Sequence, residues 1–272
     1  MSKGLEIMKR VQEHLEYLSQ NGYEVVFIAL QGSQNYGLDI YTDEYMSDVD
    51  TKAVVLPSFE DFVKNRKPVS TTIVLENNEH IDVKDIREMF NTYKKQNINY
   101  IETLFTKYKI INAEYADLIE PLFENREEIA HLNFNQALRC IAGMSMEKMK
   151  AMEHPYPNLL DKIEKYGYDP KQLHHIARMC DFIQKYVSGE SYAECLVPDE
   201  GTRKKLLEIK TGKFDLETAR MLAQRYDNLT KTIKDAHSTE IDEINQSAIE
   251  LLEKVKYDVL KHRFKKEINK ED

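Results

Sequence analysis

Residues 23–30, YEVVFIAL, constrain this chain more than any other stretch. The run is β-branched and aromatic with almost no polarity, which is the composition of a strand buried on both faces rather than one alternating between core and water. Such a strand needs covering elements on either side of its sheet. One is supplied immediately before it, where Leu5, Met8, Val11, Leu15 and Leu18 recur at helical spacing until Asn21-Gly22 ends the pattern.

After it, SDVDTKAVVL (47–56) predicts a neighbouring strand stopped by Pro57, and Ser58 predicts the cap of a helix with an acidic first turn. STTIVLE (70–76) and EHIDVKDI (79–86) predict a hairpin turning at Asn77-Asn78. From residue 86 onward the pattern is helical nearly throughout. The expected fold class is therefore α+β: a small mixed β-sheet flanked by helices within residues 1–110, followed by a mostly α-helical region over 111–272. The chain's 272 residues are enough for such a core, with 42% hydrophobic and 31% charged residues in the globular range. No apolar run approaches the ~20 residues of a bilayer span, and the N-terminal residues lack the continuous apolar segment of a secretion signal. Cys140, Cys180 and Cys195 are too scattered for a disulfide framework or a CxxC metal site. These features set the expectation of a cytoplasmic protein with reduced thiols and no membrane partner. A net charge of −9 argues against a surface built throughout to neutralise phosphates, leaving only local basic patches for nucleic acid.

The stretch QGSQNYGLDIYTDEYMSDVD (31–50) joins the two predicted strands. In an extended chain Asp48 and Asp50 point the same way while Val49 points to the core, which places two carboxylates about 7 Å apart on one face. Hard divalent cations, Mg²⁺ or Mn²⁺, take such oxygen ligands and complete their shell with water and substrate phosphates. A third carboxylate is expected from the 79–86 strand. If Ile81 and Val83 face the core, Asp82 turns outward with His80 and Lys84, Asp85 falls where it can cap a helix starting near Ile86, and Glu79 lies on the other face. At the end of the first strand, Gly32 leaves backbone N–H groups open and Ser33 adds a hydroxyl, a cradle for the β- and γ-phosphates of a nucleotide. Two metal ions on Asp48, Asp50 and Asp82 would orient an acceptor hydroxyl toward an α-phosphorus and neutralise the departing pyrophosphate. In GYDPKQLHHIAR, Asp169 and Pro170 start a helix on which Lys171, His175 and Arg178 share a face, either a grip for phosphate or a solvated basic stripe. Tyr36 and Tyr41 can stack on a base or pack locally, and Lys52 can meet a phosphate or flank its strand.

Gly32-Ser33, a spacer, Asp48-Val49-Asp50 and a later Asp82 resemble the GS…DxD…D signature of the DNA polymerase beta-like nucleotidyltransferase superfamily. Within it, GSQNYGL, MSDVDTKAVVLP, DIREMF…QNINYIETLF and GYDPKQLHHIAR look like a group of predicted nucleotidyltransferases of phages and bacteria, over roughly residues 23–225. Asn97 and Glu102 stand where that group's NPxxxE block has them, whereas Ile98 replaces its proline. The resemblance implies a nucleotidyltransferase catalytic core followed by a helical substrate-binding region, with an NTP as donor. The acceptor stays open among an RNA or tRNA end, a protein and a small molecule. A nucleotide- or RNA-binding regulatory protein on the same fold is the competing expectation.

Overall fold

The computed structural model describes residues 2–40, 47–239 and 243–269. The chain forms two compact units, Met1–Asn35 with Tyr41–Leu132 and Asn245–Asp272, and Tyr36–Ile40 with Asn133–Ile244. The fold is α+β.

In the first unit, α1 (Lys3–Gln20) leads into β1 (Glu24–Leu30), β2 (Thr51–Leu56), α2 (Phe59–Val63), the hairpin β3 (Ser70–Val74) and β4 (His80–Asp85), α3 (Ile86–Lys94), α4 (Ile98–Ile101), β5 (Lys109–Ile111), α5 (Ala116–Glu124) and α6 (Arg126–Ala130). The five strands run in the order β3-β4-β2-β1-β5. β1 is antiparallel to β2 and β5, β4 is antiparallel to β3, and β2 and β4 are parallel, so the sheet is mixed. As its composition demands, β1 is buried from Val25 to Leu30. A one-residue slip between Val25 and Phe27 is a bulge that brings Val25, Ile28 and Leu30 into the core cluster with Val49, Ala53, Val55, Ile81 and Val83. Ile7, Val11 and Leu18 of α1 complete this cluster.

Two sequence expectations shift here. The buried face of α1 is Ile7, Val11, His14 and Leu18, with Leu5 exposed, because a buried histidine continues the stripe where an apolar residue was sought. The second strand begins at Thr51 and not at residue 47, so the DVD segment leads into the ladder and does not lie within it. The hairpin turns at Asn77-Asn78 as expected, with Asn78 at φ +63° and its N–H donating to Leu75 O. Asp85 caps α3 by accepting from the Arg87 N–H.

The second unit is helical: α7 (Phe134–Ala151), α8 (Leu160–Tyr166), α9 (Pro170–Val187), α10 (Tyr192–Leu196), α11 (Glu200–Lys210) and α12 (Leu216–Ala236). Asp169 caps α9 and Pro170 occupies its first turn. α9 packs against α7, α11 and α12, and Leu173, Ile176, Phe182 and Ile183 are among its buried residues. The chain then returns to the first unit as α13 (Gln246–Ile268), which packs on α5. No described helix is long and apolar enough to cross a membrane.

Candidate active site

The Gly-Ser turn and the aspartate pair lie at the same end of the β1–β2 ladder. Beyond the Leu30–Thr51 pair, the Gln31 N–H donates to Asp50 O at 2.9 Å, which ties the residue before Gly32 to the second aspartate. Gln34, buried in the 3₁₀ turn Ser33–Asn35, donates from Nε2 to Ser47 O (3.0 Å) and Asp48 O (2.9 Å). Asn35 donates from Nδ2 to Leu30 O (3.0 Å), and its Oδ1 accepts from Thr106 Oγ1 (2.6 Å). Gln34 and Asn35 therefore fasten the turn to both strands, a role that sequence reading missed because polar residues after a glycine usually signal only a loop.

Gly32 sits at φ +87°, and a Cβ built there would meet nothing within 4 Å. Its own N–H is not open, however: it donates to Glu102 Oε1 at 3.3 Å. Glu102 is buried on the 3₁₀ turn Glu102–Leu104, where a desolvated carboxylate requires donors, and the glycine backbone supplies one.

The expected alternation holds in the segment before β2, with Ser47 and Val49 buried, Asp48 exposed and Asp50 half-buried. Asp50 Oδ1 accepts from the His80 backbone N–H (2.9 Å) and lies 3.1 Å from His80 Nδ1, while Oδ2 takes no hydrogen bond among the described residues. On β4, Asp82 shares its face with His80 and Lys84, as the pattern requires. Its surroundings differ from a waiting ligand. Lys52, its direct register partner across the parallel β2–β4 pair, places Nζ 2.8 Å from Asp82 Oδ2, and the Tyr100 hydroxyl donates to the same oxygen at 2.9 Å. Lys52 Nζ also lies 4.1 Å from the Tyr100 ring centre, and Lys84 Nζ lies 4.8 Å from it. Burial lowers the pKa of Lys52 against the pull of Asp82, while burial and the Asp82 charge together push the Tyr100 phenol far above its ordinary value.

Whether these residues fit divalent cations divides along the same line. Asp48 and Asp50, on one face with an Asp50 oxygen to spare, suit one hard cation. Asp82 carries Lys52 and Tyr100 on Oδ2, while its Oδ1 takes no hydrogen bond among the described residues, and no group of three His, Cys, Asp or Glu side chains is arranged to hold a metal among the described residues. Lys52, expected to meet a phosphate or flank its strand, pairs with Asp82, and its parity with Asp48 and Asp50 was the available signal.

Behind the aspartates lies a buried polar network. Glu79 Oε1 accepts from the Val49 N–H, between the two aspartates, at 3.2 Å. Its Oε2 accepts from Arg10 Nη2 (2.5 Å) and Asn77 Nδ2 (2.9 Å) and lies 3.0 Å from His14 Nε2. His14, fully buried on α1, also reaches Thr51 Oγ1 at 2.9 Å. Burial alone would raise the Glu79 pKa, but His14, the Val49 N–H and Arg10 hold it below the usual carboxylate range. Glu79 thus lies on the face opposite Asp82, as expected, and its carboxylate grips the backbone of the DVD segment.

Lys171, His175 and Arg178 belong to α9 in the helical unit. Lys171 is exposed, His175 is half-buried and Arg178 is buried. The Arg178 guanidinium stacks 4.0 Å from the centre of the Tyr36 ring, in the short segment that enters this unit directly after the turn. Two further cations hold that segment: Arg203 Nε donates to Gly37 O (2.6 Å) and Lys210 Nζ to Leu38 O (2.7 Å). His174 donates from Nδ1 to Leu206 O (3.0 Å), and burial drives its pKa down to about 3. Tyr36 is packed locally under Arg178. Tyr41 lies outside the described residues.

No protein-family profile and no curated protein matches the chain. Among solved structures, it is similar to a nucleotidyltransferase-like protein from Exiguobacterium sibiricum 255-15. The identity is 10% and the TM-score 0.29, with 85% of this chain and 75% of that one covered.

Proposed function

We propose that the chain is a metal-dependent nucleotidyltransferase that moves an NMP from an NTP to an acceptor and releases pyrophosphate. The observation that carries this reading is the clasp at the head of β1 and β2. The Gln31 to Asp50 bond and the Gln34 bonds to Ser47 and Asp48 set the Gly32-Ser33 turn beside the two carboxylates. A triphosphate on that turn would lie next to the residues able to hold its cation.

Asp48 and Asp50 would hold Mg²⁺ or Mn²⁺, which when bound screens phosphate charge and polarises the α-phosphorus. The chain's own residues do the rest. Gly32 lets the phosphates approach without a side chain in the way, Ser33 offers a hydroxyl, and Gln34 and Asn35 keep the turn from opening. The acceptor oxygen bonds to the α-phosphorus, the bond to the bridging oxygen breaks, and pyrophosphate leaves with the electron pair while water takes the acceptor's proton. Lys171, His175 and Arg178, on α9 of the helical unit, are proposed as phosphate-binding residues of that unit, with Arg178 acting through Tyr36. An RNA or tRNA end, a protein and a small molecule remain the acceptor classes. Incubation of a lysate with the purified chain, Mg²⁺ or Mn²⁺ and α-³²P-NTP identifies the acceptor by what becomes labelled. Absence of label and of pyrophosphate for all four nucleotides would overturn the reading.

A second reading, a nucleotide- or RNA-binding regulatory protein without turnover, is favoured by two contacts: Glu102 occupies the Gly32 N–H, and Lys52 pairs with Asp82. Calorimetry separates the two, since this reading predicts metal-dependent NTP binding with no pyrophosphate released in the presence of any acceptor.

A further inference from the structure

We propose that the Lys52 ammonium replaces a second metal ion beside Asp82, so that the site takes one divalent cation, on Asp48 and Asp50. This rests on the nucleotidyl-transfer reading and deepens it.

Three features argue for it. First, Lys52 is fixed by the fold: it sits directly opposite Asp82 in the parallel β2–β4 register, with its side chain 6% exposed and its Nζ 2.8 Å from Asp82 Oδ2. Second, that oxygen also accepts from the Tyr100 hydroxyl, so a cation arriving there would have to displace two donors from one carboxylate atom. Third, the ammonium groups of Lys52 and Lys84 both lie over the Tyr100 ring, at 4.1 and 4.8 Å from its centre. A third positive charge there, in a part-buried setting where like charges are poorly screened, is disfavoured. Asp50 differs in its partners: the groups on its Oδ1 are the His80 backbone N–H and ring nitrogen, and no ammonium group is hydrogen-bonded to it among the described residues. A lysine that cannot swing into solvent places a single positive charge permanently where a dissociable ion would otherwise bind and leave.

The test is a count of Mn²⁺ per full-length chain, by electron paramagnetic resonance and calorimetry, in the presence of a non-hydrolysable NTP analogue. One Mn²⁺ is expected in the native chain, one in Lys52→Arg, and two in Lys52→Met, where Asp82 loses its resident cation. Asp82→Asn supplies a check that does not require a buried lysine to be removed: it should leave the single Mn²⁺ and its affinity in place. Two Mn²⁺ in the native chain, or loss of a bound Mn²⁺ in Asp82→Asn, would overturn the inference while leaving nucleotidyl transfer standing. A single Mn²⁺ in a folded Lys52→Met would equally overturn it. Failure of the native chain to bind Mn²⁺ or the analogue at all would instead defeat the functional reading beneath it.

Discussion

At the scale of single residues, the site is a set of carboxylates told apart by their partners. Asp48→Asn and Asp50→Asn should each lower nucleotidyl transfer by about 10²-fold or more, because each removes an anionic ligand of the cation that positions the triphosphate, with near-native circular dichroism as the folding control. Glu79 has a different task. Its folded pKa lies below the ordinary value of 4.5, so its contribution to stability is complete above that value and is lost as pH falls through the folded pKa. The urea midpoint of the native chain should therefore drop between pH 6 and pH 3. Glu79→Gln should lose about 3 kcal/mol at neutral pH, since it removes the charge that half-buried Arg10 and buried His14 are paired with, and should flatten that acid limb. Gly32→Ala should cost about 1–2 kcal/mol from the left-handed backbone alone, and a matching loss of NTP affinity would show that the turn's shape is what the nucleotide reads. Asp48, Asp50 and the outward Asp82 were legible from alternation, because a pleated chain leaves a charged residue only one face. The Lys52–Asp82 pair was not, because it depends on β2 and β4 being parallel neighbours in a particular register, and residue spacing along one strand does not state its partner.

At the scale of elements, β1 was the most readable, since a run buried on both faces has no other stable home. The Asn77-Asn78 hairpin and the Asp85 and Asp169 caps were readable for a local reason: a turn or a cap is decided by residues within one helical turn of each other. α1 was readable as a helix but not in its orientation, because His14 takes a core position that only its partners Thr51 and Glu79 make tolerable. The return of α13 to the first unit has no signal in its own sequence. Ala248, Leu252, Val255 and Val259 form its buried seam, but nothing in them names α5 as the partner. Leu252→Ala should cost 2–5 kcal/mol by the usual cavity penalty, read as a lowered denaturant midpoint at unchanged slope. An effect within about 0.5 kcal/mol, as for an exposed site, would show that this helix does not close the core of the unit.

At the scale of the whole molecule, the chain divides its labour between a mixed-sheet unit carrying the aspartates and a helical unit into which Tyr36–Ile40 passes straight from the Gly-Ser turn. Within the helical unit that segment is held by Arg178 on Tyr36, Arg203 on Gly37 and Lys210 on Leu38. A net charge of −9 excludes an acceptor held by a surface that is basic throughout. The central claim is tested most directly by pyrophosphate release from each of the four NTPs, with Mg²⁺ or Mn²⁺ and a cell extract as acceptor source, comparing the native chain with Asp48→Ala/Asp50→Ala. Metal-dependent release by the native chain that vanishes in the folded double variant is the predicted result. Equal release by both, or none by either while the NTP binds, would contradict it.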